Sequence, residues 1–114
     1  MKIYNSTQNN ILSEDFLLAD NLISRSFGLI LKNKLKEGEA LVIKPCCSIH
    51  TFFMRFQIDV IFVNNKNEVI AAYEDVYPWR ILPIHFSSSY VIEMKSGSIS
   101  QKNLKKGDLL TFLD

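Results

Sequence analysis

Cys46-Cys47-Ser48-Ile49-His50-Thr51-Phe52-Phe53-Met54-Arg55-Phe56-Gln57-Ile58-Asp59-Val60-Ile61-Phe62-Val63 is the stretch on which the reading of this chain turns. Its second part, Ile58 to Val63, is rich in β-branched residues and reads as a strand with Asp59 embedded in it. Asn64 to Asn67 then supplies turn residues, and Glu68 to Tyr73 reads as the returning strand, so a β-hairpin is predicted. The first part holds both cysteines, one of the two histidines and Arg55, with β-type composition at Thr51 to Met54 but no sustained alternation. It is predicted to be a short strand or an irregular connection lying on the core.

Outward from that hairpin, short strands recur. Lys2 to Tyr4, Ile11 to Leu18, Glu39 to Ile43, Tyr90 to Met94 and Leu109 to Leu113 read as extended, with Pro45 stopping the third of these. Asp20 is a candidate N-cap for a helix from Asn21 to about Phe27, and Gly28 a candidate C-cap. Val76 to Trp79 and Ile81 to Pro83 are partly extended and kept off a sheet centre by Pro78 and Pro83. Ser87 to Ser89 reads as a loop, and Ser96 to about Asn103 as a turn or short helix. The sum is an α+β class: a mainly antiparallel sheet or small open barrel with one or two short helices.

A chain of 114 residues is expected to form one domain over 1–114, burying roughly 65% of its unfolded surface. Charge is nearly balanced, 13 Lys and Arg against 12 Asp and Glu, which gives no global field for nucleic acid or an anionic membrane. A local basic cluster at Lys102, Lys105 and Lys106 reads as a solvated turn. No run is long and apolar enough for membrane insertion, and the N-terminus lacks the apolar core of a signal peptide. Adjacent Cys46 and Cys47 make a poor disulfide framework, so a cytoplasmic location is expected.

Three blocks of residues resemble the DUF192 family (conserved ACR, COG1430), which is named for having no assigned function. Arg25-Ser26-Phe27-Gly28-Leu29-Ile30 matches its early block, with Ile30 in a methionine place. Ile49-His50-Thr51-Phe52-Phe53-Met54-Arg55-Phe56-Gln57-Ile58-Asp59 matches its central signature, with Gln57 where the family has proline. Val91-Ile92-Glu93-Met94-Lys95-Ser96-Gly97, followed by Gly107-Asp108, matches the late one. The resemblance covers roughly residues 18 to 114 and implies a small, mostly β domain; it implies no reaction.

Three readings of the central motif follow from its residue types. In the first, His50, Thr51 and Arg55 face solvent, with Trp79 and Arg80 at the rim, and bind a small anionic ligand, a peptide or a protein partner. In the second, an enzyme uses His50 with Cys47 or Asp59 as a hydrolase or thiol catalyst, although no full catalytic set is present. In the third, the motif is structural: Arg25 or Arg55 buttresses Asp59 or Glu93, because a carboxylate within an apolar strand must be paired or hydrogen-bonded. Cys46, Cys47, His50 and His85 lack zinc-site spacing, so no metal or other cofactor is predicted.

Overall fold

The run Ile58–Asn64 is buried on both of its faces, which is why its sequence is continuously apolar and does not alternate. In the computed structural model, which describes residues 1–19, 35–52 and 54–113, this strand is β5 of eight. The others are β1 (Lys2–Asn5), β2 (Asn10–Ser13), β3 (Asp15–Ala19), β4 (Glu39–Ile43), β6 (Val69–Val76), β7 (Ser88–Lys95) and β8 (Leu110–Leu113). The described residues include one short helix, α1 (Ser98–Lys102). The helix expected over Asn21 to Phe27, its caps and Arg25 lie outside the described residues.

The strands form a five-stranded sheet, β3-β4-β7-β5-β6, and a three-stranded one, β2-β1-β8. Pairing is antiparallel except for β3 with β4, which run parallel. Among the described residues the sheets stay open, so of the two expected architectures the open sheet is the one formed. One face of the large sheet, carrying Val42, Ile61, Val63, Ile92 and Met94, packs on Ile3, Leu12 and Leu110 of the small sheet and on Ile99 of α1. The opposite face, carrying Leu41, Val60, Phe62 and Val91, packs on Leu35 and Met54, with the half-buried Cys46, Ile49, Phe56 and Leu82 around them. The two partly irregular connections, 44–57 and 77–87, thus supply the cover of this second face. No helix among the described residues is long and apolar enough to cross a membrane.

The predicted hairpin is present as β5 and β6. Its turn is closed by the Asn64 side chain, whose Oδ1 accepts from Lys66 N and Glu68 N, both at 2.9 Å. The return strand runs on to Val76, three residues beyond the expected Tyr73, because Val76 still pairs with Ile58 while the Asp75 amide is taken up by Asp59. The extended run Ile11 to Leu18 divides into β2 and β3, one in each sheet. Ser13 makes the crossing, its hydroxyl reaching Gly38 O and Asp15 O at 2.8 Å each. Strand β7 begins at Ser88, inside the expected serine loop: the Ser88 hydroxyl satisfies Cys46 O and Tyr90 O, so a polar residue fits the strand end.

Candidate functional site

Residues 46–52 and 77–89 lie side by side as an irregular antiparallel ribbon. Its bonds run from Trp79 N to Thr51 O (3.0 Å), Thr51 N to Arg80 O (2.9 Å), Leu82 N to Ile49 O (3.0 Å) and His85 N to Cys47 O (2.9 Å). His50 and Ile81 face each other across it as an isolated bridge. Pro78 and Pro83 lack the N–H that a continuous ladder needs, so the ribbon does not become a regular strand pair.

Thr51 closes one end. It is fully buried, and its hydroxyl donates to Tyr77 O (2.7 Å) while accepting from Arg80 N (2.9 Å). The side chain therefore stands in for the direct Tyr77-to-Arg80 bond of a four-residue turn. This differs from the solvent-facing Thr51 of the ligand-binding reading: a hydroxyl that must both donate and accept across a turn is held inside it. Thr51→Val keeps the shape and removes the hydroxyl, leaving two main-chain groups unsatisfied. It is expected to destabilise the fold by about 1–3 kcal/mol in urea denaturation, with Thr51→Ser recovering most of the loss.

The turn puts Trp79 at its third position with φ of 66°, after Pro78, as in a type II turn where glycine is the usual occupant. A left-handed residue with a Cβ costs about 1–2 kcal/mol. Trp79 is nonetheless 57% exposed, so little burial offsets this. Trp79→Gly is expected to be more stable than Trp79→Ala by about 1 kcal/mol, the reverse of an ordinary position. Equal midpoints for the two variants would show that no such strain exists.

Alternation along the ribbon divides the motif. Thr51 and Met54 are buried and Ile49 is half-buried, whereas Ser48, His50 and Arg55 are exposed. The His50 Nδ1 accepts from Phe52 N at 3.3 Å. An accepting nitrogen carries no proton, so in the neutral ring the proton sits on Nε2 and makes it a donor. The His50 ring lies 4.9 Å from Phe52, and Phe52 lies 5.7 Å from Trp79, with tilts of 35° and 30°. Beside this row is a depression of about 240 Å³ lined by Ile49, Phe52, Ile81, Leu82 and Ile84, with Ser48 and His50 as its polar members.

The buried carboxylates do not join that row. Asp59 pairs in register with Met94, and Val60 with Glu93. Because side chains alternate, Asp59 and Glu93 project from opposite faces of the sheet. Asp59 is fully buried and accepts from Ile99 N (2.8 Å) and Asp75 N (2.9 Å), tying α1 and the end of β6 to β5. Main-chain amides thus take the role that the buttress reading gave to an arginine. Glu93 lies on the face covered by the ribbon, beside Leu41 and Val60. No hydrogen bond or ion pair from a described residue reaches its carboxyl, and burial pushes it up to about 8. Arg25 lies outside the described residues, and Arg55 is exposed.

Among the described residues, the side chains that the enzyme reading names have other partners or no hydrogen bond to one another. No hydrogen bond links Cys47 to His50 among the described residues, the Cys46 thiol donates to Ser48 O at 3.1 Å, and Asp59 is committed across the sheet from the ribbon. The structure gives His85, weighed in the sequence only as a metal ligand, a different contact, and adds exposed residues that sequence reasoning passed over. His85 Nε2 meets the Tyr73 hydroxyl at 2.7 Å. Ile81, Ile84 and Phe86 are more than half exposed. The one signal for the exposed residues was the set of apolar positions on either side of Pro83, with no helical or strand period.

The geometry defines a small sheet-dominated domain with an aromatic ribbon over one face. The chain belongs to the DUF192 family (uncharacterized ACR, COG1430), whose family model matches residues 4–112. A UPF0127 protein of Thermococcus gammatolerans is 32% identical over 114 residues, covering 96% of this chain and 74% of that protein. Another, of Pyrococcus abyssi, is 35% identical over 102 residues, covering 84% of each. The fold matches a crystal structure of a Novosphingobium aromaticivorans protein of unknown function with a TM-score of 0.85 at 18% identity, over 98% of this chain and 84% of that one.

Proposed function

We propose that this domain is a non-enzymatic recognition module that binds a polypeptide partner across the ribbon. The observation that carries the reading is the row Tyr77, Trp79, Ile81, Ile84 and Phe86, each more than half exposed within ten residues of chain. Of these, Ile81 and Ile84 line the depression and Trp79 packs on Phe52 at its edge, and exposed apolar side chains gathered in this way mark interaction sites. Trp79 is moreover held there in a backbone conformation that disfavours it. The depression beside it, about 240 Å³, falls below the roughly 300–1,000 Å³ of typical small-molecule sites. It suits one or two side chains of a partner. His50 supplies a donor at the groove, and Arg80 is exposed on the neighbouring strand of the ribbon. Cys46 and Cys47, neither of them in a disulfide, fit a reducing compartment such as the cytoplasm.

Selection of linear peptides on the folded domain, followed by mapping of amide shifts, tests this. Trp79 is the sole tryptophan, so its fluorescence reports occupancy directly. Selected peptides are expected to shift ribbon resonances and quench or blue-shift Trp79. Trp79→Ala and Ile81→Ser, with their fold checked by circular dichroism, are expected to weaken binding at least tenfold. Failure to select any binder, or binders that leave the ribbon unshifted, would refute the reading.

A further inference from the structure

We infer, building on the reading of the ribbon as a polypeptide-binding surface, that its partner is an extended acidic segment that adds as a strand along Ser48 and His50. Cys47, Ile49 and Thr51 turn their main-chain groups toward 77–89. The alternation of a ladder sends those of Ser48 and His50 to the other side, where Ser48 O also accepts from the Cys46 thiol at 3.1 Å. His50 and Ile81 form the kind of pair whose N–H and C=O groups point outward. No hydrogen bond from a described residue reaches the main-chain N–H or C=O of His50, and the residue is exposed. An open pair of this kind accepts the main chain of a further strand, and the adjoining groove takes alternate side chains.

The charge of the surface selects the occupant. Neither 44–57 nor 77–87 contains an Asp or Glu, in a chain with 12 of them; the two stretches carry Lys44, Arg55 and Arg80 together with His50 and His85. The groove lining offers the Ser48 hydroxyl and the His50 Nε2–H and no acid. Of the acids near in sequence or beneath, Asp59 and Glu93 are buried, and the exposed Asp75 accepts from the Ser96 hydroxyl. Glu74 and Asp75, both on β6 and outside the two stretches, are the exposed acids nearest in sequence. A partner with carboxylates between its apolar anchors meets donors and cations here, and a basic one meets no acid within the two stretches.

The test uses three pools of blocked heptapeptides with apolar residues at alternate positions. The intervening positions are Asp/Glu in one pool, Asn/Gln in the second and Lys/Arg in the third. Binding is followed by Trp79 fluorescence and by exchange of the His50 amide. The inference expects the acidic pool to bind at least tenfold tighter than the basic one at low ionic strength, with the gap narrowing as salt is added. It expects slowed exchange at His50, loss of binding when alternate peptide nitrogens are methylated, and a preference at least fivefold smaller in Arg80→Glu. Binding at the ribbon with no charge preference, or without protection of His50, overturns the inference and leaves the ribbon as a recognition surface. A ribbon untouched by all three pools overturns the inference; if library selection also yields no ribbon binder, the underlying reading falls with it.

Discussion

Asp59→Ala is expected to lower the stability of the domain by about 2–5 kcal/mol, because it removes the acceptor of two amides, one of them buried. Ile99 N is buried and Asp75 N partly so, at 2.8 and 2.9 Å from the two oxygens of the same carboxyl. One oxygen fastens the start of α1; the other fastens the end of β6. Small domains are stable by only about 5–15 kcal/mol, so a loss of this size leaves a marginal fold. Asp59→Asn is the informative companion. Its amide oxygen replaces one acceptor, but its NH₂ faces a donor where the second oxygen stood, so recovery is partial at best. Urea denaturation gives the magnitude. Faster hydrogen exchange at Ile99 and Asp75, ahead of the β5 amides, locates it. A change below 1 kcal/mol would show that the carboxyl does not hold these elements.

Glu93 governs the second large effect, and its sign is opposite to that of an ion-paired carboxylate. Burial pushes the folded-state carboxyl from 4.5 to about 8. Below the unfolded value both states are protonated, and the group has no influence. Between about 4.5 and 8 the unfolded chain has released the proton and the folded chain still holds it. Stability therefore falls with rising pH through that window, by about 1.4 kcal/mol per unit, and levels off above it. The whole span is of order 4–5 kcal/mol. Glu93→Gln keeps the shape and removes the titration. It is expected to match the parent near the lower limit of the window and to exceed it at the upper limit. Parallel stability–pH curves for the two proteins would contradict this assignment.

The parts of the fold legible in the sequence are those set by local pattern. Glu39 to Ile43 and the hairpin starting at Ile58 stand where composition and turn residues put them, because a buried strand cannot hide its apolar run. The ends that were misplaced are held by side chains from distant segments: Ser88 bonded to Cys46 O, and Asp75 bonded to Asp59. The separation of Asp59 from Glu93 depends on register between β5 and β7, where a one-residue slip would put them on the same face. Nothing in either segment alone determines it. Thr51 is the clearest case. Its hydroxyl fits a turn 26 residues away along the chain, a relation that motif spacing does not encode.

The central motif is therefore part buried, at Thr51, Met54, Ile58 and Asp59, and part exposed, at Ser48, His50 and Arg55. An alanine scan from Ser48 to Asp59, read as the urea midpoint, measures that division directly. Large losses are expected at Thr51, Met54, Ile58 and Asp59, whose side chains are buried, and changes within about 0.5 kcal/mol at Ser48 and His50, which are exposed. Losses at Ser48 and His50 as large as those at the buried positions would contradict the account, since the whole motif would then serve the fold and leave nothing for a partner.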